Sequence, residues 1–164
     1  VATLFGGKPN YSRLSPFAQE IHGRPLAGAD PIDQRRAEER AALHAVREFL
    51  RRYGESAFSD MDRPANDTEK HAAVRSDRAG YRRLDPATDA VEYFIFGEVW
   101  RPRVCKVFDA AAVGRLLAAG VFVERGSEAK REWLTRHTIP TEGRPRVVHV
   151  LPAIWDDEGD GDAD

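Results

Sequence analysis

The sequence predicts a small α+β domain whose elements follow the order of a winged helix. A strand-like run at residues 92–96 precedes two helical patterns, over residues 97–108 and 109–120. Residues 131–139 and 144–150 then read as the two strands of a β-hairpin. This order of strand, paired helices and hairpin is typical of modules that dock on nucleic acid or protein and perform no chemistry of their own.

Length and composition limit the alternatives. With 164 residues, 41% hydrophobic and 32% charged, the chain supports one domain with a modest core and a charged shell. No apolar run approaches the ~20 residues of a membrane span, and residues 1–5 lack the basic start of a signal peptide. The single cysteine excludes an internal disulfide, which favours a cytoplasmic location.

The chain divides into three parts. Residues 1–29 are rich in glycine and proline, which indicates a flexible arm, and residues 30–155 form the expected domain. Residues 156–164 carry six acids and no base, which predicts a disordered acidic tail. Without this tail the chain has 25 bases against 21 acids, a balance compatible with nucleic-acid binding. The tail either keeps the protein soluble or competes with nucleic acid for the basic surface.

The first long helix is predicted from residue 31 to residue 53. Asp30 is a good N-cap, Pro31 suits the first helical position, and Gly54 is expected to end the helix. Apolar residues recur at spacings of three and four from Ala42 to Tyr53. Charged residues of both signs occupy the other face, where solvation is expected; they include Arg35, Arg36, Glu38, Arg40 and Arg47.

A β-hairpin is predicted between this helix and the central pair. Residues 57–59 suggest a short strand, and residues 60–77 are polar without periodicity, as in a loop. Two extended runs, at 78–84 and 91–96, flank the turn at Asp85-Pro86.

The sequence marks the second of the two central helices more clearly than the first. Asp109 caps the second one, Val113, Leu116 and Leu117 form its buried face, and Gly120 stops it. The first one contains Pro102, which removes a backbone donor, so this helix either begins near Arg101 or is kinked.

Basic residues near the predicted hairpin are the best candidates for contacts to DNA or RNA. Flexible cations around a wing tip, expected at Gly126-Ser127, can neutralise phosphates and give affinity without sequence specificity. The candidate residues are Arg101, Arg103, Arg115, Arg125, Lys130, Arg131, Arg136, Arg144 and Arg146.

The predicted recognition helix argues against strict sequence reading. Its outward positions are Ala111, Arg115 and Ala118, with no Asn or Gln to pair with base edges. Small outward side chains would also allow close packing on a protein. The alternative is therefore a protein-interaction or oligomerisation module that docks on an ATPase core or on itself.

The remaining residues give no sign of catalysis, a cofactor or a metal. Cys105 lies among apolar residues and is expected to be a small buried hydrophobe. The five histidines show no ligand spacing, and the acids show no apolar setting that would tune an acid–base pair. Core packing is the expected role of all three tryptophans, although Trp133 lies in register with Thr135 and His137 and could stack on a base.

Short motifs between about residue 38 and residue 154 resemble the C-terminal region of bacterial domain-of-unknown-function 927 proteins. That family comprises helicase-like P-loop ATPases of plasmids, phages and integrated elements. The resemblance implies a tail that follows an ATPase core, with the core as a partner. It does not imply ATPase activity here, because the sequence has no phosphate loop and no hydrophobic strand that ends in paired acids. Pro102 departs from the uninterrupted helix of that family. The motifs are residues 53–56, 78–83, 92–93, 104–105, 108–109, 116–117, 138–140 and 146–148.

Overall fold

The computed structural model describes residues 30–62, 77–140 and 142–160, with the side chains described up to residue 156. The expected N-terminal arm, most of the predicted 60–77 loop and residues 161–164 lie outside the described residues. The helices are α1 (Pro31–Tyr53), α2 (Gly97–Val99) and α3 (Ala110–Ala119). The strands are β1 (Phe58–Asp60), β2 (Gly80–Leu84), β3 (Val91–Phe96), β4 (Thr135–Arg136) and β5 (Arg146–Val150).

All five strands form one sheet in the order β1-β2-β3-β5-β4. The β1 strand runs parallel to β2, and every other neighbouring pair is antiparallel. The predicted hairpin between α1 and the central helices is confirmed as β2–β3, and the predicted short strand is confirmed as β1. The α+β class is therefore confirmed.

The two faces of the sheet differ because side chains alternate along each strand. One face, which we call the helix-covered face, presents Tyr93, Ile95, Val148 and Val150 to a large apolar core shared with α1 and α3. The opposite face, which we call the second face, carries a small cluster of Tyr81, Phe94, Val147 and Ile139.

The α1 helix begins and ends where the sequence predicts. The Asp30 side chain accepts a hydrogen bond of 2.9 Å from the Ile32 backbone N–H, which satisfies a free donor of the first turn. The residue that ends the helix, Gly54, has a right-handed backbone (φ −58°), so left-handed freedom is not its role. A Cβ there would lie 2.9 Å from the Tyr93 hydroxyl, and glycine leaves room for that contact.

Two charged residues of α1 depart from the prediction of a solvated face. Glu38 and Arg47 are each only 8% exposed. Arg47 Nε donates to the carbonyl oxygen of Ile154 at 2.6 Å, and Ile154 is itself fully buried. The C-terminal segment packs against α1 at this point, and it covers a position that α1 periodicity alone assigns to solvent.

Pro102 falls in a wide turn that continues α2. Residues Trp100–Val104 form a π-helical turn, and the Cys105 N–H donates to the Trp100 carbonyl at 2.8 Å. The wider ring accommodates the proline, whose nitrogen has no hydrogen to donate. The expected interruption is therefore present, as a change of helix type. Cys105 is 2% exposed, which confirms it as a buried residue.

The α3 helix is capped at both ends. Asp109 Oδ1 accepts from the Ala112 N–H at 2.7 Å, as predicted. At the C-terminus the N–H groups of Phe122 and Val121 donate to the carbonyls of Leu117 and Ala118, at 2.9 Å and 3.2 Å. This pattern is a Schellman motif, in which the left-handed residue is Val121 (φ 61°) and not Gly120 (φ −79°). The helix therefore ends at Gly120 as predicted, but the left-handed residue is the one that follows it. The Phe122 ring packs where a Gly120 Cβ would stand.

The C-terminal segment is more ordered than predicted. Pro152–Asp160 forms a 3₁₀ helix that enters the stretch expected to be a disordered tail. The burial of Ile154 and its bond from Arg47 anchor the start of this helix. Within the described residues, no helix combines the length and apolar character that crossing a bilayer requires.

Candidate functional site

Five of the predicted basic residues gather on or beside the β4–β5 hairpin. All five are exposed, and we call them the hairpin cations: Lys130, Arg131, Arg136, Arg144 and Arg146. Lys130 and Arg131 lie on a 3₁₀ turn just before β4, and Arg144 lies where the chain returns towards β5. The sequence therefore located a real concentration of exposed positive charge.

Arg136 and Arg146 are direct partners across β4 and β5. Residues opposite each other in an antiparallel pair project to the same side, so two like charges adjoin there. Glu128 offsets part of this repulsion, because its Oε1 lies 3.0 Å from Arg146 Nη2. Within the described part of the chain the other four hairpin cations have no ion-pair partner, so their charge is available to a ligand.

Two other predicted contact residues, Arg125 and Arg103, have structural roles, and Arg101 lies apart from the hairpin in sequence. Arg125 donates from Nε and Nη2 to the Ala118 carbonyl at 3.2 Å and 3.0 Å, and so caps α3. Arg103 donates to the Asp77 carbonyl at 2.6 Å and lies over the Phe49 ring. These bonds tie both guanidinium groups to the protein. Arg101 is exposed on the π-helical turn, away from the hairpin in sequence.

The α3 helix is more deeply covered than predicted. Ala118, expected to face outward, is fully buried, and Ala112 is 6% exposed. Trp133 packs so closely on α3 that a Cβ at Gly114 would lie 2.3 Å from its Cδ2. Arg115 is exposed, with its guanidinium carbon 5.9 Å from the centre of the Trp133 ring. Burial confirms Trp133 as a core residue, and β4 begins too late to place it in one strand with Thr135.

The tip of the hairpin is not where the sequence placed it. Gly126-Ser127 belongs to the connection between α3 and β4, where the Gly126 N–H donates to the Glu132 carbonyl at 2.7 Å. The hairpin turns instead between Ile139 and Gly143, which form an isolated bridge. The tip is tied to the sheet because Arg78 Nη1 lies 3.4 Å from Glu142 Oε1.

A shallow groove of about 470 Å³ separates the hairpin from the start of α2. Arg131 and Arg146 line one part of it, together with Glu98 and Glu142. Its charge is mixed, so the groove does not by itself favour an anion.

A second concentration of polar side chains lies at one end of the second face. Glu124 follows Val123, which pairs with Val150, and the Glu124 N–H donates to the His149 carbonyl at 3.0 Å. His137 comes directly after β4, where the chain leaves the strand and crosses the second face. We call these three residues, Glu124, His137 and His149, the His–Glu cluster.

The His–Glu cluster is tightly connected. Glu124 Oε2 lies 2.6 Å from His137 Nε2 and 2.7 Å from His149 Nδ1. The hydrogen bond from His149 has the largest effect on the pKa of the Glu124 carboxyl and lowers it. Burial raises this pKa by less, and the hydrogen bond from His137 lowers it further. The side chain of Glu124 is 47% exposed and that of His149 only 7%, so the cluster opens to solvent on the Glu124 side.

His149, the buried histidine of the cluster, contacts Phe94 and lies close to Glu92. Its ring stacks on Phe94, with centroids 4.3 Å apart and an angle of 16° between the planes. His149 Nε2 lies 3.3 Å from Glu92 Oε2, without the geometry of a hydrogen bond. Glu92 in turn pairs with Arg83 Nη2 at 2.5 Å. The stack on Phe94 thus fixes the plane of this imidazole, and Glu92, paired with Arg83, lies opposite its buried nitrogen.

Sequence reasoning missed the His–Glu cluster. It found no ligand spacing among the histidines, yet the fold brings together residues 124, 137 and 149, of which successive members are 13 and 12 positions apart. Pairing of β5 with two different segments produces this proximity. The one local signal is His149 itself, a polar residue inside the apolar β5 strand.

No significant match to this chain was found among known protein families, curated proteins or solved structures.

Proposed function

We propose that this chain is a non-catalytic nucleic-acid-binding accessory domain of winged-helix type, which contacts phosphates mainly through the hairpin cations. The observation that carries the proposal is the group of exposed arginines and lysine on and beside β4–β5, most of them without an ion-pair partner among the described residues.

The order of elements supports the winged-helix assignment. The chain runs from β3 through α2 and α3 to the β4–β5 hairpin, and β5 returns to pair with β3. This leaves β4 at the sheet edge, where the exposed Arg136 can reach a ligand. The proposed kinship with the tail of mobile-element helicase-like ATPases rests on the short sequence motifs alone.

The charge balance supports contact with phosphates. Residues 124–146 contain six bases and four acids, and two of the acids are already used: Glu128 pairs with Arg146, and Glu142 pairs with Arg78. An exposed guanidinium that binds a phosphate releases condensed counterions, which provides affinity without reading bases. We expect non-specific binding, because α3 exposes Arg115 as its one base and has no Asn or Gln to form paired hydrogen bonds with base edges.

The protein-docking alternative loses the observation that motivated it. It rested on small outward side chains of α3, but Ala118 is fully buried and Ala111 is half-buried against the core. We therefore prefer nucleic acid as the partner.

Salt dependence is the direct test of this proposal. We expect binding of a fluorescent DNA duplex at low salt, with an affinity that falls linearly on a log–log plot against salt concentration. Each phosphate contact contributes a slope of about −0.9 for duplex and about −0.7 for single-stranded DNA, so each slope reports the number of contacts. The affinities for the two forms at one salt concentration report the preferred form. No binding at low salt, or an affinity independent of salt, would overturn the proposal.

A matched pair of double variants localises the contact. Replacing Arg136 and Arg144 by alanine should make the slope shallower by about 2. Replacing Arg36 and Arg40, two exposed arginines of α1, removes the same charge from a distant surface and should leave the slope nearly unchanged. Equal effects from both pairs would contradict contact through the hairpin.

A further inference from the structure

We propose that the His–Glu cluster binds one Zn²⁺ ion through Glu124, His137 and His149, with a water molecule in the fourth position. The three residues offer one ligand atom each, and these atoms lie within 4.8 Å of one another. This inference does not depend on nucleic-acid binding.

The donor set selects the type of ion. Two imidazole nitrogens and one carboxylate oxygen suit zinc and related divalent transition metals, whereas Mg²⁺ and Ca²⁺ prefer sites made of oxygen. Three protein ligands with an open fourth position are a common zinc arrangement. Here the open side is that of Glu124, the most exposed of the three.

The surroundings of His149 are those of an oriented metal ligand. A histidine that binds a metal through one nitrogen typically directs the other towards a carboxylate, which fixes its tautomer and raises its basicity. His149 presents Nδ1 to the cluster and Nε2 to Glu92, and Arg83 holds Glu92 in place. Nε2 is buried and makes no hydrogen bond here, so a small shift of Glu92 on metal binding would satisfy it.

The distances require only local adjustment. Ligand atoms around a tetrahedral zinc ion, each at about 2.0–2.1 Å from the metal, stand about 3.3 Å apart. The separations of 2.6 Å and 2.7 Å are those of hydrogen bonds, so Glu124 must retreat slightly as the ion enters. The two imidazole nitrogens, up to 4.8 Å apart, must approach each other by a movement of His137. The side chains of Glu124 and His137 are 47% and 28% exposed and are therefore able to move, while His149 stays fixed by its stack on Phe94.

The ion would join three segments that are separate in sequence. Glu124 lies between α3 and β4, His137 follows β4, and His149 lies on β5. Zinc would therefore fasten the hairpin across the second face and stabilise the folded chain, since binding to the native state alone adds to its stability.

A competition titration tests the proposal. The full chain and a chromogenic zinc chelator compete for Zn²⁺ at neutral pH in excess Mg²⁺. We expect one tightly bound zinc per chain, and a rise in melting temperature with added zinc. His137→Ala and Glu124→Ala should each weaken binding by more than about 100-fold, beyond the loss of about 10–100-fold that we expect for Glu92→Gln.

His44→Ala is the matched control, because His44 is an exposed histidine of α1 outside the cluster. It should leave zinc affinity unchanged. Circular dichroism establishes that each variant is folded, and both cluster variants replace partly exposed side chains. Failure of the wild-type chain to compete for zinc would overturn the proposal, as would affinity that survives His137→Ala or falls equally with His44→Ala.

Discussion

The two faces of the sheet differ in the kinds of side chains that they present. The helix-covered face is apolar, and its core unites Ile95, Val148 and Leu117 with residues of both long helices. The second face has a much smaller apolar cluster around Phe94, and at one end the His–Glu cluster replaces hydrophobic packing. One face thus has many interchangeable apolar contacts, whereas the other has a few polar contacts of defined geometry.

Because of this difference, we expect the helix-covered face to determine stability, and the second face and the hairpin to determine binding. Burial of apolar surface contributes about 25 cal/mol per Å², so the larger core dominates the free energy of folding. Hydrogen bonds and ion pairs that reach solvent contribute little net stability. We therefore expect changes on the helix-covered face to alter the free energy of unfolding, and changes on the second face or hairpin to alter binding.

The largest effect should come from Leu117→Ala. Leu117 is fully buried between α3 and the sheet, and its truncation should cost about 2–5 kcal/mol through lost burial and a cavity. Urea unfolding followed by circular dichroism measures this cost. Leu116→Ala, one position away and only partly buried, is the control and should cost clearly less. Equal costs would mean that α3 is oriented differently.

A gain is expected from Val121→Gly. Val121 holds a left-handed conformation that costs an L-residue roughly 1–2 kcal/mol, and glycine adopts it freely. Because Val121 is 64% exposed, little burial is lost, and the variant should be about 1 kcal/mol more stable. Thermal melting provides the measurement. A destabilised variant would contradict the assigned Schellman motif.

On the second face, His137→Ala should change stability by less than about 1 kcal/mol in metal-free buffer. Its hydrogen bond to Glu124 is open to solvent, and such interactions are weak. Chemical unfolding in the presence of a chelator tests this. A loss of stability as large as that of Leu117→Ala would contradict the proposal that the second face contributes little to stability.

The smallest effect should be a pH dependence at the β2–β3 turn. The Ala87 N–H, and then the Thr88 hydroxyl, donate to the Asp85 carboxylate and lower its pKa. This stabilisation is therefore present above the unfolded-state pKa of about 3.9 and is lost as pH falls through the lower folded-state value. Asp85→Asn should flatten the decline in stability at acidic pH. An unchanged profile would show that these bonds add nothing.

The sequence correctly predicted the helices and turns that depend on residues close together in the chain. The apolar spacing of α1, the Asp30 and Asp109 caps and the Asp-Pro turn each depend on residues close in sequence, and each is found as predicted. The shift of the left-handed residue to Val121 was missed because it depends on the packing of the Phe122 ring on Gly120.

The site was predicted less completely for the same reason. Exposed bases on the hairpin follow from sequence position, but the capping role of Arg125 requires the path of the chain after α3. The burial of Arg47 depends on a partner more than a hundred residues away. The His–Glu cluster depends on strand pairing, which no spacing of histidines reveals.

Backbone amide chemical shifts, followed by NMR during titration with a short DNA duplex at low salt, test the central claim most directly. The claim is that the hairpin binds the partner while the helix-covered face maintains the fold. The account predicts the largest changes between residues 128 and 146 and almost none in the first three turns of α1. Changes concentrated on α1, with the hairpin unaffected, would contradict it.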